Sequence, residues 1–347
     1  MKYSLIIPVF NRPDEVEELL QSLTRQTLKD FEVIIVEDGS QRDCKAVAET
    51  FKGQLDISYY KKENSGPGQS RNYGAECASG EYLVVLDSDV VLPEGYVQAI
   101  DDELRRQPTD AFGGPDASHP SFTDVQKAIS YSMTSFFTTG GIRGGKKKLD
   151  KFYPRSFNMG ISRDVYQQLG GFSKMRFGED IDFSYRIVEA GYQTRLFPDA
   201  WVWHKRRTDF RKFFRQVYNS GIARINLSKR HPGTLKLVHL LPMVFTVGVV
   251  ALVLISAFGR AMMHYDATNW RSWYWVCALP WLPILLYSLI IFIDSTIKNK
   301  SLRVGLLSVP AAFVQLMGYG FGFLEAWWKR CVQKKDEFTA FEKNFYK

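Results

Sequence analysis

The sequence predicts an α/β domain with a mostly parallel sheet and helices on both of its faces, followed by long apolar helices. Two patterns support this prediction. In the first quarter of the chain, short apolar runs alternate with amphipathic segments, which is the rhythm of βαβ units. In the last third, three long stretches contain no Asp, Glu, Lys or Arg. The chain therefore divides into an α/β domain and a set of apolar helices.

The predicted elements of the α/β domain follow one another at short intervals. Apolar runs predict strands and the segments between them predict helices: strands at Tyr3–Phe10, Phe31–Val36, Ile57–Lys61 and Tyr82–Leu86, and helices at Pro13–Thr27, around Ala46 and Val47, and at Ser70–Ala78. In open parallel sheets, ligands bind beyond the carboxyl ends of the strands. Two acidic clusters, at 37–40 and 87–89, follow such ends and mark a candidate site.

The three uncharged stretches lie between Lys236 and Arg260, between Arg271 and Asp294, and between Arg303 and Glu325. Each is long enough to cross a hydrocarbon core of about 30 Å at about 1.5 Å per residue. Three such runs in series favour membrane helices over buried core helices. The third run contains Pro310 and the glycines 318, 320 and 322, so it is either a full span or a re-entrant or interfacial segment. The sequence leaves two or three spans open.

Charged residues predict the orientation of these helices. The loop with Lys298, Lys300 and Arg303 follows the second run and is expected in the cytoplasm. The apolar run at 5–10 is too short for a signal peptide, so we expect the first domain in the cytoplasm as well. The four widely separated cysteines suit a reducing compartment. Together these features predict a multi-pass protein of the cytoplasmic (inner) membrane.

A basic segment precedes the first apolar run. From Lys205 to Lys236 there are ten Lys or Arg against one acidic residue, Asp209. Beside a membrane helix, such a cluster favours binding to anionic lipid, and no nucleic-acid-binding motif accompanies it. The predicted organisation is a domain at 1–205, a basic amphipathic segment at 206–236, a membrane domain at 237–328 and a charged tail at 329–347. Residues 140–148, rich in Gly and Lys, are either a mobile loop near the site or a solvated charged loop.

Asp87-Ser88-Asp89 is the strongest candidate for metal chemistry. Two carboxylates around one small residue at a strand end can both face a divalent cation, and Mg²⁺ or Mn²⁺ prefers such oxygen ligands together with substrate phosphates. Asp-x-Asp is also common in turns, where the carboxylates cap the backbone. Asp38 has the same alternative as a helix cap or an Asx-turn.

Taken together, the motifs resemble those of the family 2 glycosyltransferases, which have the GT-A fold, a Rossmann-like mixed sheet. The matching segments are in the family's order over about the first 205 residues: Ser4-Leu5-Ile6-Ile7-Pro8-Val9-Phe10-Asn11, Val36-Glu37-Asp38-Gly39-Ser40, Gly66-Pro67-Gly68-Gln69-Ser70-Arg71-Asn72-Tyr73-Gly74, Leu86-Asp87-Ser88-Asp89 and Gly178-Glu179-Asp180-Ile181-Asp182. The resemblance implies a metal-dependent enzyme that binds a nucleotide-sugar.

The resemblance also implies roles for the residues of the donor site. Pro8 and Phe10 are expected to line the nucleotide pocket, and Asp38 is expected to accept a hydrogen bond from the base. Arg71 is expected to contact the donor near its phosphates or base.

In the same way, Asp87 and Ser88 are expected to contact the ribose and sugar, and Asp89 to be the main protein ligand of Mg²⁺ or Mn²⁺. His204, at the end of Trp201-Val202-Trp203-His204, is either a second ligand, a diphosphate contact or a structural histidine.

Asp180 matches the family's general base. Such a base takes the proton of the acceptor hydroxyl as its oxygen attacks the anomeric carbon. This direct displacement inverts the anomeric centre. Glu179 and Asp182 are the alternatives to Asp180, or they favour the dipole of a helix that begins nearby.

One motif of the family is missing. Members that synthesise polymers carry Gln-x-x-Arg-Trp before a membrane helix, whereas this chain has Gln216 without a following Arg-Trp. The sequence therefore favours transfer of a single sugar, with a UDP-sugar as the favoured donor and a lipid-linked glycan or polyprenyl phosphate as the acceptor. The main alternative is a non-catalytic membrane scaffold, and the oligomeric state is left open.

Overall fold

The structure is a computed structural model that describes residues 2–119, 121–139 and 152–341. It contains two compact units. Among the described residues, the first unit comprises 2–119 and 152–205, and the second comprises 121–139 and 206–341. The loop at 140–148, expected from the sequence to be either mobile or solvated, lies outside the described residues.

Within these ranges the strands are β1 (Tyr3–Val9), β2 (Phe31–Asp38), β3 (Ile57–Lys62), β4 (Tyr82–Leu86), β5 (Val90–Val91), β6 (Ala111–Gly113), β7 (Asp116–Ala117), β8 (Asn158–Ser162), β9 (Thr194–Leu196) and β10 (Val202–His204). The α-helices are α1 (Pro13–Thr24), α2 (Lys45–Phe51), α3 (Pro67–Cys77), α4 (Tyr96–Arg106), α5 (Asp124–Thr134), α6 (Phe136–Thr139), α7 (Arg163–Gln168), α8 (Glu179–Glu189), α9 (Phe210–Arg230), α10 (Leu241–Tyr265), α11 (Trp270–Ala278), α12 (Leu282–Asn299) and α13 (Leu302–Trp327). The strands and α1–α4, α7 and α8 belong to the first unit.

The main sheet of the first unit has the strand order β3-β2-β1-β4-β8-β6-β9. Strands β1 to β4 pair in parallel, whereas β8 runs antiparallel to both of its neighbours, β4 and β6. The predicted mixed α/β sheet of the GT-A type is confirmed. The predicted strands and helices of the first ninety residues or so are present, with ends that differ by a few residues, as is usual for such predictions.

Apolar side chains on both faces of the sheet explain why β1 reads as a continuous apolar run. Leu5 and Ile7 belong to the core that packs against α1, and Ile6 belongs to the core on the opposite face, together with Phe183 of α8. Successive side chains of a strand point to opposite faces, so a strand covered on both faces carries no polar alternation. Pro8, which has no N–H, lies beyond the residues of β1 that pair with β4.

A second, smaller sheet has the order β5-β10-β7. Strand β10 pairs antiparallel with β5, and His204 lies opposite Val90. Because Val90 directly follows Asp89, this pairing brings the end of β10 to the acidic cluster after β4.

The second unit is helical, and α13 packs against α5, α9, α10 and α12. Three of its helical segments are long and apolar enough to cross a membrane: Leu237–Tyr265, Trp270–Asn299 and Leu302–Val332. The expected set of apolar C-terminal helices is therefore present. Helix α5 also belongs to this unit, although the sequence pattern did not indicate that residues 121–139 would leave the first domain.

Candidate functional site

The carboxyl end of β4 and the end of β10 together form a cluster of two carboxylates and one imidazole. The Nε2 atom of His204 lies 3.2 Å from Oδ1 of Asp89 and 3.8 Å from Oδ2 of Asp87. One potential ligand atom from each of the three residues lies within 4.8 Å of the others. Neighbouring ligands of an octahedral ion with bonds of about 2.1 Å are roughly 3 Å apart, so small side-chain rotations would suffice for metal binding.

Aromatic stacking holds His204 in place. Its ring stacks on Phe157, with centroids 5.1 Å apart and an angle of 23° between the planes. Its Nδ1 atom is buried without a hydrogen-bond partner among the described residues. The donor set of two carboxylates and one imidazole fits Mn²⁺ or Mg²⁺, because both accept oxygen ligands and leave coordination positions for phosphate. The residues expected to bind metal are thus brought together.

Arg12 also contacts this cluster, and sequence reasoning did not identify it. It precedes α1, and its Nη1 atom donates a short hydrogen bond to Oδ2 of Asp89. The charge of Asp89 is the main reason that the pKa of Arg12 is raised, and burial opposes it. The two oxygens of Asp89 therefore face different partners, with Oδ1 towards His204 and Oδ2 towards Arg12.

Arg71 lies behind the acidic cluster rather than in the open part of the site. Its side chain is 4% exposed and donates to Oδ1 of Asp87 and to Oε1 of Glu179, both at 2.8 Å. Burial works to lower the pKa of Arg71, but the charges of Asp87 and Glu179 outweigh it and the pKa is raised. Arg71 thus orients Asp87 and links α3 to the start of α8, and the donor contact implied by the resemblance stays a prediction.

The three acidic residues at the start of α8 have different surroundings. Asp180 accepts from Nε of Arg155 at 2.7 Å and from the backbone N–H of Ile181 at 2.9 Å. Burial works to raise the pKa of Asp180, but the charge and hydrogen bond of Arg155 outweigh it, so the pKa is lowered and the carboxylate is ionised.

Glu179 and Asp182 are more deeply enclosed. Burial raises the pKa of Glu179 to about 7, although the charge of Arg71 opposes this shift. Asp182 is 3% exposed and accepts from Arg186 one turn along the same helix. The Asp180 side chain is 14% exposed, more than those of Glu179 and Asp182, at 9% and 4%.

Asp38 lies at the end of β2, and its carboxylate accepts three hydrogen bonds. Oδ1 accepts from the N–H of Ser65 and from Lys62, and Oδ2 accepts from the N–H of Gly66, at 2.7 to 2.9 Å. Gly66 has a φ of 94°, which favours glycine. Asp38 therefore organises the loop before α3 through contacts with residues 24 to 28 positions away, and not as a helix cap or an Asx-turn. A carboxylate accepts about four hydrogen bonds, so one position is left for a ligand.

The remaining expected residues lie at the same edge of the sheet. Pro8 and Phe10 are half-buried at the end of β1, and Ser88 is 6% exposed between the two aspartates. Asn11 follows with a φ of 55°, and its Oδ1 accepts from the N–H groups of Gln41 and Arg42. The ends of β1, β2 and β4 thus form one continuous edge.

Comparison with known proteins agrees with this geometry. Residues 4–170 match the family model described as glycosyl transferase family 2. The match covers just under half of the chain and shows a likeness to this family over that part. This match ends at residue 170 and so includes neither Asp180 nor His204. The positions of these two residues relative to the rest of the site come from the structure alone.

Individual relatives are similar over shorter stretches. An uncharacterized glycosyltransferase of Rickettsia felis is 34% identical over 137 residues, which are 40% of this chain and 22% of that protein. The GalNAc(5)-diNAcBac-PP-undecaprenol beta-1,3-glucosyltransferase of Campylobacter jejuni is 35% identical over 102 residues, 28% of this chain and 33% of that protein. The chain thus spans a third or less of the length of these two curated relatives.

Among solved structures, the mannosyltransferase PcManGT from Pyrobaculum calidifontis, in complex with GDP-Man and Mn²⁺, has a similar fold. The TM-score is 0.56 at 15% identity, over 96% of this chain and 88% of that one. This likeness shows the fold alone.

Arg12 and Arg155 are the site residues that sequence reasoning missed. Neither belongs to a motif of the resemblance, and each reaches its carboxylate across a large sequence separation: Arg12 to Asp89 and Arg155 to Asp180. The local signal that could have found them is that both are arginines immediately beside a proline, in loops that border predicted elements of the domain.

Proposed function

We propose that this chain is an inverting glycosyltransferase that moves a single sugar from a nucleotide-sugar to an acceptor hydroxyl. The observation that carries the proposal is the grouping of Asp87, Asp89 and His204 at the carboxyl end of β4, in a domain whose start is similar to family 2. A cluster of this kind suits the binding of a diphosphate through a divalent cation. UDP-sugars remain the favoured donors on the basis of the family resemblance.

Asp89 and His204 are the residues that would hold Mg²⁺ or Mn²⁺, and Asp87 would complete the protein's ligand set. A bound cation would neutralise negative charge on the leaving nucleoside diphosphate. Arg71 supports this arrangement, because its Nη2 atom donates to Oδ1 of Asp87, while Oδ2 of Asp87 is the oxygen nearer His204. Phe157 keeps the imidazole in the same place.

Asp180 is our candidate for the general base. Its lowered pKa means that it is ionised near neutral pH and ready to accept a proton. The ion pair with Arg155 also makes it a weak base until that contact loosens, so we expect acceptor binding to draw Arg155 away from Asp180. Glu179 and Asp182 are less suitable, because they form ion pairs with Arg71 and Arg186 and their side chains are only 9% and 4% exposed.

We propose a lipid-linked acceptor at the cytoplasmic face of the membrane. Three observations support it: the apolar helices of the second unit, the basic segment before them, and a Campylobacter relative whose name specifies an undecaprenol-linked substrate. Transfer to a purified polyprenyl-diphosphate-linked glycan should be faster than transfer to the same free glycan. Equal rates would count against a lipid-linked acceptor.

The reaction is tested on the detergent-solubilised protein with UDP-, GDP- and dTDP-sugars in the presence of Mn²⁺ or Mg²⁺. Release of one nucleoside diphosphate should be lost in Asp89→Asn. In Asp180→Asn, donor binding measured by calorimetry should persist, while transfer falls by roughly 10²–10⁴-fold. Asp102→Asn, at an exposed position of α4, is the matched control and should behave as the wild type. Failure to bind any donor of the panel would contradict the proposal.

A further inference from the structure

The third apolar helix, α13, begins beside the end of the second membrane segment. The hydroxyls of Ser295 in α12 and Ser308 in α13 are 2.7 Å apart, and Ile291 and Ala312 share one apolar cluster. These contacts connect later residues of α12 with earlier residues of α13, and the two helices are antiparallel there. The start of α13 is therefore on the side of the membrane where α12 ends.

The second half of α13 packs closely against α9. A Cβ atom at Gly221 would lie 2.2 Å from the carbonyl oxygen of Tyr319, and one at Gly322 would lie 2.0 Å from that of Tyr218. Phe210, at the start of α9, packs against a cluster that contains Val304 and Ala311 of α13, whereas Ile225, near the end of α9, shares a cluster with Ala326. The two helices are thus parallel neighbours over this stretch.

Helix α9 lies on one side of the membrane. It does not cross the hydrocarbon core, because it carries basic residues at both ends and Arg224 in its interior.

The segment after α13 returns along α9. The side-chain amide of Asn219 binds both the N–H and the C=O of Ala340, and the amide of Asn226 donates to the C=O of Phe338. Arg230 at the end of α9 forms an ion pair with Glu337. The chain therefore leaves α13 on the side of α9, which is also the side on which α13 begins.

The first two apolar segments, Leu237–Tyr265 and Trp270–Asn299, are less covered by protein than α13. Helix α10 meets α13 through its first turns, where Thr246 donates to the C=O of Leu316, while its later residue Ser256 contacts Cys277 and Trp281. Only 11% and 6% of the apolar windows of the first two segments are buried, against 44% for the third. The first two segments form a hairpin with lipid-facing surfaces, and much of α13 is covered by protein.

We propose that α13 lies in the interface of the leaflet where α10 begins, so that the chain crosses the membrane twice. Its partner is the headgroup region of that leaflet. Exposed Trp327 and Trp328 suit an interfacial position, and Lys329, Arg330, Lys334 and Lys335 follow on the side of anionic headgroups. The proposal rests on the membrane anchoring inferred above, not on the sugar transfer.

The test uses the full-length protein in sealed vesicles and a membrane-impermeant maleimide. Cys77 and Cys277 are replaced by Ala, and the buried Cys44 is kept, which leaves the exposed Cys331 as the site of labelling. Cys331→Ser in this background measures residual labelling. Two reference variants in the Cys331→Ser background mark the sides: Ser220→Cys in α9 and Thr268→Cys at the hairpin tip, both at exposed positions.

Cys331 is expected to label from the same side as Ser220→Cys and from the side opposite to Thr268→Cys. Labelling of Cys331 together with Thr268→Cys would show that α13 crosses the membrane and would overturn the proposal. Labelling of both reference variants from one side would overturn it too, because the hairpin would then not cross. None of these outcomes depends on donor or acceptor, so a failure here is distinct from a failure of the proposed transferase activity.

Discussion

Asp89 shows how one side chain can serve two purposes in the candidate site. Its Oδ1 atom faces His204, where a metal ion would be bound, and its Oδ2 atom accepts from Arg12. The guanidinium keeps the carboxylate in one orientation, but it also places a positive charge next to the metal position. In a partly buried site the repulsion between two cations is only partly screened by solvent. Arg12 should therefore weaken metal binding when no diphosphate is present.

This leads to a prediction for Arg12→Met. Loss of the guanidinium should strengthen Mn²⁺ binding without donor by about three- to tenfold, measured by calorimetry or by electron paramagnetic resonance. Arg42→Met is the control, because Arg42 pairs with Asp14 at the surface and both side chains are more than half exposed. Weaker Mn²⁺ binding in Arg12→Met would mean that orientation of Asp89 matters more than charge repulsion.

Glu179 gives a prediction for the pH dependence of stability. Its pKa is about 7 in the folded protein, above the ordinary value of 4.5, because it is buried. Between these values the folded state binds more protons than the unfolded state, so the free energy of unfolding falls as the pH rises from about 4.5 to about 7. Glu179→Gln should remove this contribution.

Unfolding followed between pH 5 and pH 8 should therefore show a smaller decline for Glu179→Gln than for the wild type. Other titrating groups are common to both proteins and cancel in the comparison. If the free energy of unfolding depends on pH in the same way in both proteins, then Arg71 keeps Glu179 ionised from pH 5 to pH 8.

At the scale of elements, the glycines of α13 have a packing role. Gly318 and Gly322 lie one turn apart and face α9, while Gly320 faces the start of α10. Two helices can approach to backbone contact only where side chains are small. The sequence suggested that these glycines loosen the segment, and the structure gives them the opposite role at these contacts.

Gly322→Ala is expected to destabilise the second unit by about 1–3 kcal/mol, because the added methyl overlaps the C=O of Tyr218. Gly248→Ala is the matched control, since its Cβ would meet nothing within 4 Å. Thermal unfolding in detergent, followed by size-exclusion chromatography, measures the difference. Similar unfolding temperatures for the two variants would contradict the close packing of α9 and α13.

The sequence predicted some elements and residues better than others, for physical reasons. The strands β1 to β4 were predictable because each is a buried apolar run, and Asp87 and Asp89 directly follow one of them. Strand β10 has three residues and depends on pairing with β5, so periodicity alone does not reveal it. His204 was found through the family resemblance, and Arg12 and Arg155 were missed because contacts between distant residues leave no local pattern.

At the scale of the whole molecule, α5 depends on residues far along the chain. Ala128 packs with Val304 and Ala311, and Ile129 packs with Phe213 and Val217. The sequence predicted no helix at the residues of α5. The apolar side chains of α5 therefore need the second unit, although α5 lies between two parts of the first unit in the sequence.

A chain that ends at Lys205 should therefore be poorly soluble. Its α5 would expose Ala128, Ile129 and Met133, which are at most 7% exposed in the full chain. Light scattering should show aggregates, and the double substitution Ile129→Lys and Met133→Lys should reduce them. If the truncated chain without these substitutions is monomeric, then residues before Lys205 bury the apolar side chains of α5.

Because β5 pairs with β10, the cluster of Asp87, Asp89 and His204 can form only late in the synthesis of the chain. Residues 87–89 leave the ribosome early, whereas His204 is made more than a hundred residues later, and closing so long a loop costs conformational entropy. Domains fold broadly in the order in which they are made. The nascent chain thus carries the two aspartates before His204 has been made, and the candidate metal site is completed shortly before the first long apolar helix emerges.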